Sequence, residues 1–461
     1  MVPAVSSASS SGWAWKKTQV RRTASRFPRA AEIQVTPASN LCHRPPGKRV
    51  AGVRADGLRW GARVRILHVS DCYLPRLGGI EVQVDELARA QQAAGHQVAV
   101  ATATPSGAPE DEPECAPLPV VALSAASAPS PSPPSPSLAG AAFAVERLVT
   151  PMPWELPIGR SLAPVLAGRK PDVVHVHAGA ASPFAWRAVH RAVHADVPVV
   201  LTVHSLWGTF SRAAYRALFA GWTRRPGGLV VTAVSEAAAV PARRVAAGRV
   251  PVRVVSNGID LARWRDGPPA ARRGAEERVH VVAVGRLAPR KEPVRLLRLL
   301  RDVEAAVPIR ATIVGEGPAR ARMERYLRRH RMDGWVRLTG RLDRSGVRAV
   351  LAGADVFLAP AARESFGLAA LEARLAGVPV VARAGGGVAD FVASGREGLL
   401  GGTFPEMSAA LARLAGDAGL RAGIAAHNLA TEPVRCTWPA VLDDFAACYE
   451  LAAAKTSLAH L

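Results

Sequence analysis

The sequence predicts an α/β protein made of two parallel-sheet domains, and three observations lead there. Short β-branched runs alternate with helix-like segments along most of the chain, the alternating series starts twice, and a polar stretch containing Pro and Gly separates the two series. The length of 461 residues agrees, since it exceeds one ordinary core and suits two.

Taken in order, the first sixty residues mix Ser, Pro, Arg and Gly without periodicity, which predicts a disordered basic extension over 1–60, with an Arg-rich targeting arm as the competing reading. This extension carries eleven Lys or Arg against Glu32 and Asp56, so it supplies +9 of the net charge of +22. From Arg63 the pattern changes: Val64, Ile66, Leu67 and Val69 read as a strand, followed by a glycine-containing loop and a helix ending at Gly95. Residues 97–103, 173–177, 197–203 and 229–234 read as further strands, while the Pro/Ser segment 124–137 reads as a surface loop. The second series opens with VHVVAVGRL at Val279 and a helix begun by Pro293, whose fixed φ suits a first helical position. Strands at 309–314, 336–338, 356–359 and 378–382 follow. The unpatterned segment 261–277 marks the boundary, giving domains at 61–262 and 263–435 and a last helix over 436–455.

Composition narrows the class. Hydrophobic residues at 49% and charged residues at 21% fit a folded globular chain. Cys42, Cys72, Cys115, Cys436 and Cys448 form no C-x-x-C pair, which argues against a zinc site or a disulfide scaffold and for a reducing, cytoplasmic compartment. No apolar run approaches the roughly 20 residues that span a bilayer, so the protein is expected in the cytoplasm or peripherally on the inner membrane face. Arg outnumbers Lys throughout, alongside abundant Ala, Gly and Pro, so net charge is a weak pointer to a polyanionic partner.

Parallel sheets bind ligands at the carboxyl ends of their strands, and four loops there stand out. In the loop after the first strand, Gly78 and Gly79 let backbone N–H groups approach an anion at a helix start, although a plain tight turn explains a lone Gly-Gly equally. Arg286 and Lys291 follow the first strand of the second series, where fixed cations can stabilise a diphosphate leaving group; solvated surface charge is the alternative. Glu364 precedes a helix start and Glu372 lies within that helix: carboxylates accept hydrogen bonds from sugar hydroxyls, while N–H groups around Phe366, Gly367 and Leu368 can hold phosphate. His204 ends a strand of the first series, a position that suits a functional or a structural histidine. His175 and His177 alternate on one strand face, and His190 and His194 share a helix face, but neither pair has the Glu of a zinc-hydrolase motif, so no metal site is expected.

Together these residues resemble the retaining glycosyltransferases of family 4, with the two-domain architecture called GT-B. The resemblance runs from about Arg63 to Tyr449 and is carried, in order, by PRLGGIEVQVDELARAQQAAGH, DVVHVH, LTVH, VSNGID, VGRLAPRK, IVGEGP and ESFGLAALEARLAGVPVV. It implies two Rossmann-like domains facing a central cleft, a nucleotide-diphosphate sugar as donor and a glycan, lipid-linked or small-molecule acceptor. It implies Gly79 near the donor phosphate, His204 beside the sugar, Arg286 and Lys291 on the diphosphate, Glu364 on sugar hydroxyls and Glu372 on the ribose. Phe366, Gly367 and Leu368 would offer backbone N–H groups, and the last helix would cross back to the first domain. Transfer with retention, without a divalent metal or other cofactor, follows from the same resemblance; no clear Asp-x-Asp appears, and the acidic run at 110–114 lies among prolines. Three positions depart from the family pattern: Glu292 stands where Gly is usual, Ala361 replaces a small polar residue and Arg374 replaces Met. Two rival readings remain: a binding protein of the same fold without turnover, and a nucleic-acid or anionic-lipid binder using Arg320, Arg322, Arg325, Arg328, Arg329 and Arg331, whose spacing runs around the helix and favours a solvated face over nucleic acid.

Overall fold

Both series fold into parallel sheets wound in the same order. The computed structural model describes residues 63–76, 78–106, 143–149, 160–224, 228–265 and 278–458, all within one compact unit. The extension 1–60, the acidic run 110–114, the Pro/Ser segment 124–137 and residues 266–277 of the expected boundary lie outside them.

In the first domain β1 (Arg65–Ser70), β2 (Gln97–Thr102), β3 (Ala144–Arg147), β4 (Val173–Ala178), β5 (Val199–Val203), β6 (Leu229–Ala233) and β7 (Val252–Val254) form a sheet of order β3-β2-β1-β4-β5-β6-β7. Every pairing is parallel. Helices α1 (Gly79–Ala93), α2 (Ala163–Arg169), α3 (Pro183–His194), α4 (Thr209–Trp222) and α5 (Glu236–Ala246) lie between strands, and α6 (Leu261–Arg265) leads out. The second sheet has order β10-β9-β8-β11-β12-β13, from β8 (Val279–Val284), β9 (Ile309–Val314), β10 (Val336–Gly340), β11 (Val356–Ala359), β12 (Val380–Arg383) and β13 (Gly398–Gly401). Its helices are α7 (Pro293–Glu304), α8 (Arg320–Arg329), α9 (Arg344–Ala352), α10 (Leu368–Leu375), α11 (Phe404–Gly416) and α12 (Ala418–Ala430). Each chain path starts mid-sheet, runs to one edge, returns and continues to the other. The winding therefore reverses between β1 and β4 and again between β8 and β11, where the loops part and open a crevice.

Three strands carry no sequence signal of their own. β3, β7 and β13 are edge strands of four, three and four residues with the sequences AVER, VRV and GLLG. Edge position removes the need for the continuous apolar run that marks a buried central strand.

The final helix, α13 (Trp438–Leu458), runs past the expected end at 455. It packs Val441, Phe445, Cys448, Tyr449 and Ala452 onto Ile66, Val173, Val200 and Val230 of the first sheet, which ties the end of the second domain to the first. That sheet face is apolar at its amino end and largely polar beyond it. Alternate residues read Ile66, His68, Ser70 on β1; Val173, His175, His177 on β4; Val200, Thr202, His204 at β5; and Val230, Thr232, Val234 at β6, with His68 paired to His175 and Thr202 to Thr232 in register.

Candidate active site

The second domain brings its basic and acidic candidates together across the reversal point. Arg286 and Lys291 follow β8 and Glu364 follows β11, the two strands that flank it. The loop after β8 is shaped by two glycines of the neighbouring loop. Gly315 (φ +140°) sits so close that a Cβ there would lie 2.0 Å from the Gly285 carbonyl oxygen, and one on Gly317 (φ +155°) would lie 2.7 Å from that of Leu287. Only glycine admits this approach. A 3-10 turn over Pro289–Lys291 then carries Lys291 to Glu364, with which it forms an ion pair. Glu292 adopts the left-handed φ of 54° and its carboxylate pairs with Arg295 at 2.6 Å. The extra carboxylate at the position where the family pattern has Gly is thus tied to α7. Arg286 stays exposed.

Helix α10 begins at the same crevice. Gly367 precedes it at φ +96°, where a Cβ would lie 2.6 Å from Val388 Cγ2, and Phe366 is buried against Phe391 with ring centroids 5.3 Å apart. Phe366 therefore offers the crevice its backbone and not its ring. The N–H groups of Leu368 and Ala369 have no acceptor among the described residues, as expected for an uncapped helix start. One turn further, Glu372 is half-buried. Burial raises its pKa to about 7, with Arg344 opposing the rise and Glu86 adding to it. Glu86 belongs to α1 of the first domain, and it pairs with Arg344 of α9 and, at 3.8 Å, with Arg263 of α6.

The first domain closes the crevice from the other side. Gly78 caps α1 with extended backbone and no side-chain bond, and a Cβ on Gly79 would lie 3.8 Å from Leu368 Cδ1 of the second domain. A Cβ on Gly208 would lie 2.7 Å from the Arg363 Nη2. Ser235 donates its hydroxyl to the Ser365 carbonyl at 2.5 Å, and the Glu236 N–H donates to Asp390 Oδ2 at 2.8 Å. Burial raises the Cys72 thiol to about 11, a rise that Arg76 and, from the other domain, Arg286 oppose. His204 sits at the end of β5, 9% exposed, its pKa lowered to about 4 by burial.

The candidates are joined in part: Lys291 meets Glu364, Gly79 lies against Leu368, and Glu372 shares the field of Arg344 with Glu86, whereas His204 lines a pocket with His177, Thr202, Asn257, Trp438 and Phe445. Sequence reasoning passed over Glu86, Arg344, Arg363 and Asp390, because a charged residue on a helix or loop carries no sign of the partner that meets it from another domain. It also treated His175 and His177 as a pair. In the structure His68 joins them, and one ring nitrogen from each lies within 4.8 Å of the others. Both ring nitrogens of His68 and of His177 are already hydrogen-bonded, so a metal there would have to displace those bonds. Arg374, where the family pattern has Met, is buried, donates to the Phe391 carbonyl and lies 3.6 Å from Glu397. On α8, Arg320 is held by Glu316 and Glu324, each at 2.9 Å, so it belongs to a local ion-pair network. Among the described residues no helix is long and apolar enough to cross a membrane.

Two family models match the chain: Glycosyltransferase Family 4 over residues 77–263 and Glycosyl transferases group 1 over residues 270–422. A GDP-mannose-dependent alpha-mannosyltransferase of Mycolicibacterium smegmatis is 31% identical over 325 residues, covering 67% of this chain and 81% of that protein. A glycogen synthase of Mycobacterium tuberculosis is 32% identical over 244 residues, covering 50% of this chain; the match spans only 56% of that synthase. Among solved structures, Anabaena HepE in complex with UDP and glucose superposes with a TM-score of 0.62 at 19% identity, covering 84% of this chain and 99% of that one, a likeness of fold.

Proposed function

The chain belongs to the family 4, group 1 glycosyltransferases, and from that membership and the crevice chemistry we propose that it transfers a hexosyl group from a UDP- or GDP-sugar to a hydroxyl acceptor. The observation that carries this reading is the meeting of Lys291 and Glu364 beside the open start of α10, at the point where the second sheet reverses. Arg286 and Lys291 neutralise the diphosphate as the anomeric C–O bond breaks, and the free N–H groups of Leu368 and Ala369 add donors on the same side. Glu364 accepts from sugar hydroxyls and Glu372 from the ribose. In this reading His204 and Gly79 of the first domain lie beside the sugar and the donor phosphate.

Transfer proceeds with retention: the anomeric C–O bond to the phosphate breaks, the acceptor hydroxyl oxygen bonds to the anomeric carbon on the same face, and the departing phosphate oxygen takes the hydroxyl proton. Arg286 and Lys291 supply the cationic charge in this scheme, which therefore needs no divalent metal. The acceptor is a cell-envelope glycolipid or polysaccharide intermediate, reached from the cytoplasm or the membrane surface. This ranks above a small glycoside acceptor, and the clasped site favours turnover over a purely binding role.

The test is thermal stabilisation by a panel of nucleotides and nucleotide sugars, with and without EDTA, since a ligand of the native state raises apparent stability by mass action. A selective, EDTA-insensitive shift names the donor. In the Glu364→Ala variant transfer is lost while the fold persists; undiminished turnover in that variant removes Glu364 from the site.

A further inference from the structure

A chain of buried rings runs from helix α13 to His204 at the end of β5. His204 Nε2 lies 3.0 Å from His177 Nδ1, His177 Nε2 lies 2.9 Å from His68 Nδ1, and His68 Nε2 lies 2.7 Å from Gln91 Oε1. Gln91 in turn donates its amide N–H to the Tyr449 hydroxyl of α13 at 2.9 Å, and that hydroxyl lies 2.7 Å from His175 Nδ1. Burial removes the charged forms: it lowers His68 and His204 to about 4 and His175 and His177 well below the ordinary histidine value.

A neutral imidazole has one N–H and one bare nitrogen, so bonds running from ring to ring have a single sense. The Gln91 oxygen only accepts. His68 therefore carries its proton on Nε2 and leaves Nδ1 bare. His177 must then donate from Nε2, and His204 likewise, which leaves His204 Nδ1 without a proton. That nitrogen meets no hydrogen-bond partner among the described residues. Turning the Gln91 amide over would reverse all three bonds together, so one side chain sets the state of a ring two histidines away. A second branch leaves Tyr449 through His175, whose Nε2 lies 2.6 Å from Thr202 Oγ1, itself 2.6 Å from Thr232 Oγ1, and it ends on hydroxyls that can donate or accept.

We propose that Gln91, acting through His68 and His177, is a positioning residue that holds His204 in its Nε2–H tautomer, so that the bare Nδ1 accepts a hydrogen bond from a hydroxyl of the transferred sugar. This rests on the placement of His204 beside that sugar. The relay also links His204 to Tyr449, which α13 packs onto the first sheet.

The experiment reads the tautomer directly, by nitrogen-15 NMR of histidine-labelled full-length protein without ligand, His204 being assigned by its loss in His204→Ala. The wild type shows one His204 tautomer, protonated on Nε2. Gln91→Glu, read at a pH where that carboxyl is ionised, keeps it, because a carboxylate only accepts and takes the Nε2–H of His68 as the amide oxygen does. Gln91→Leu yields a mixed or inverted His204 signal and lowers kcat about tenfold with little change in KM, while melting confirms that it is folded. His68→Phe, which cuts the chain further on, gives the same His204 signal should Gln91→Leu fail to fold. A wild-type spectrum in Gln91→Leu or His68→Phe overturns the relay, as does equal loss of kcat in the Leu and Glu variants. Wild-type turnover in His204→Ala overturns instead the placement of His204 at the sugar, a failure of the underlying reading that leaves the spectra unchanged.

Discussion

Glu372 is held in the wrong place for a carboxylate, and replacing it by Gln should stabilise the free protein in a pH-dependent way. Burial raises its pKa from 4.5 to about 7, a change worth about 3 kcal/mol at roughly 1.4 kcal/mol per pH unit. The folded state then binds more protons than the unfolded state between those two values, so stability falls as pH rises through that window. Below pH 4.5 both states are protonated and the penalty is absent; above 7 it is complete. Glu372→Gln removes the charge and keeps the shape. The variant should therefore match the wild type near pH 4.5 and exceed it by up to about 3 kcal/mol at pH 8, or about 6–12 °C in Tm for a domain of this size. Glu86, whose own pKa is raised by burial, adds to the Glu372 shift, so removing the Glu372 charge also relieves their mutual repulsion and acts in the same direction. Melting curves of the pair at half-unit steps from pH 4.5 to 8 make the measurement. A gap that stays constant across the range refutes the argument. With Glu372 on the ribose as proposed, two hydroxyl donors would favour the ionised form, so UDP or GDP binding near pH 6 should release a proton, seen as a buffer-dependent calorimetric enthalpy. The instability is then a property of the empty site that the ligand relieves.

Two further outcomes follow from local packing. Arg374→Met leaves Glu397, which also faces His427 at 3.1 Å, buried with one cation fewer; urea unfolding should show a loss of about 3 kcal/mol, largely recovered in the double variant with Glu397→Gln. Gly315→Ala forces a Cβ to within 2.0 Å of the Gly285 carbonyl oxygen at φ +140° and should cost about 2 kcal/mol or more, with weakened nucleotide binding as the Arg286 loop shifts; an unchanged denaturation midpoint would sink that account of the loop.

Much of the architecture was legible from the residues alone. The apolar runs of β1, β4, β5, β8, β9, β11 and β12 announce buried parallel strands because a strand covered on both faces must be apolar at nearly every position. The glycine-marked loops after β1, β8 and β11 fall at strand ends for the same reason that they were noticed: only glycine allows backbone to approach backbone, as Gly315 does to Gly285. Tertiary structure decided which of those loops oppose each other. Nothing local says that Glu86 meets Arg344, that Arg363 lies against Gly208, or that Glu372 is desolvated enough to hold a proton near neutrality. Each depends on packing between segments far apart in the chain, and the energy of a charge depends on what surrounds it. The histidines show the division most clearly. Their alternation placed His175 and His177 on one face of one strand, since side chains of a strand repeat every two residues. Only the register of β1 against β4, and the seating of Tyr449 on that face, made them part of a hydrogen-bonded chain that ends at His204.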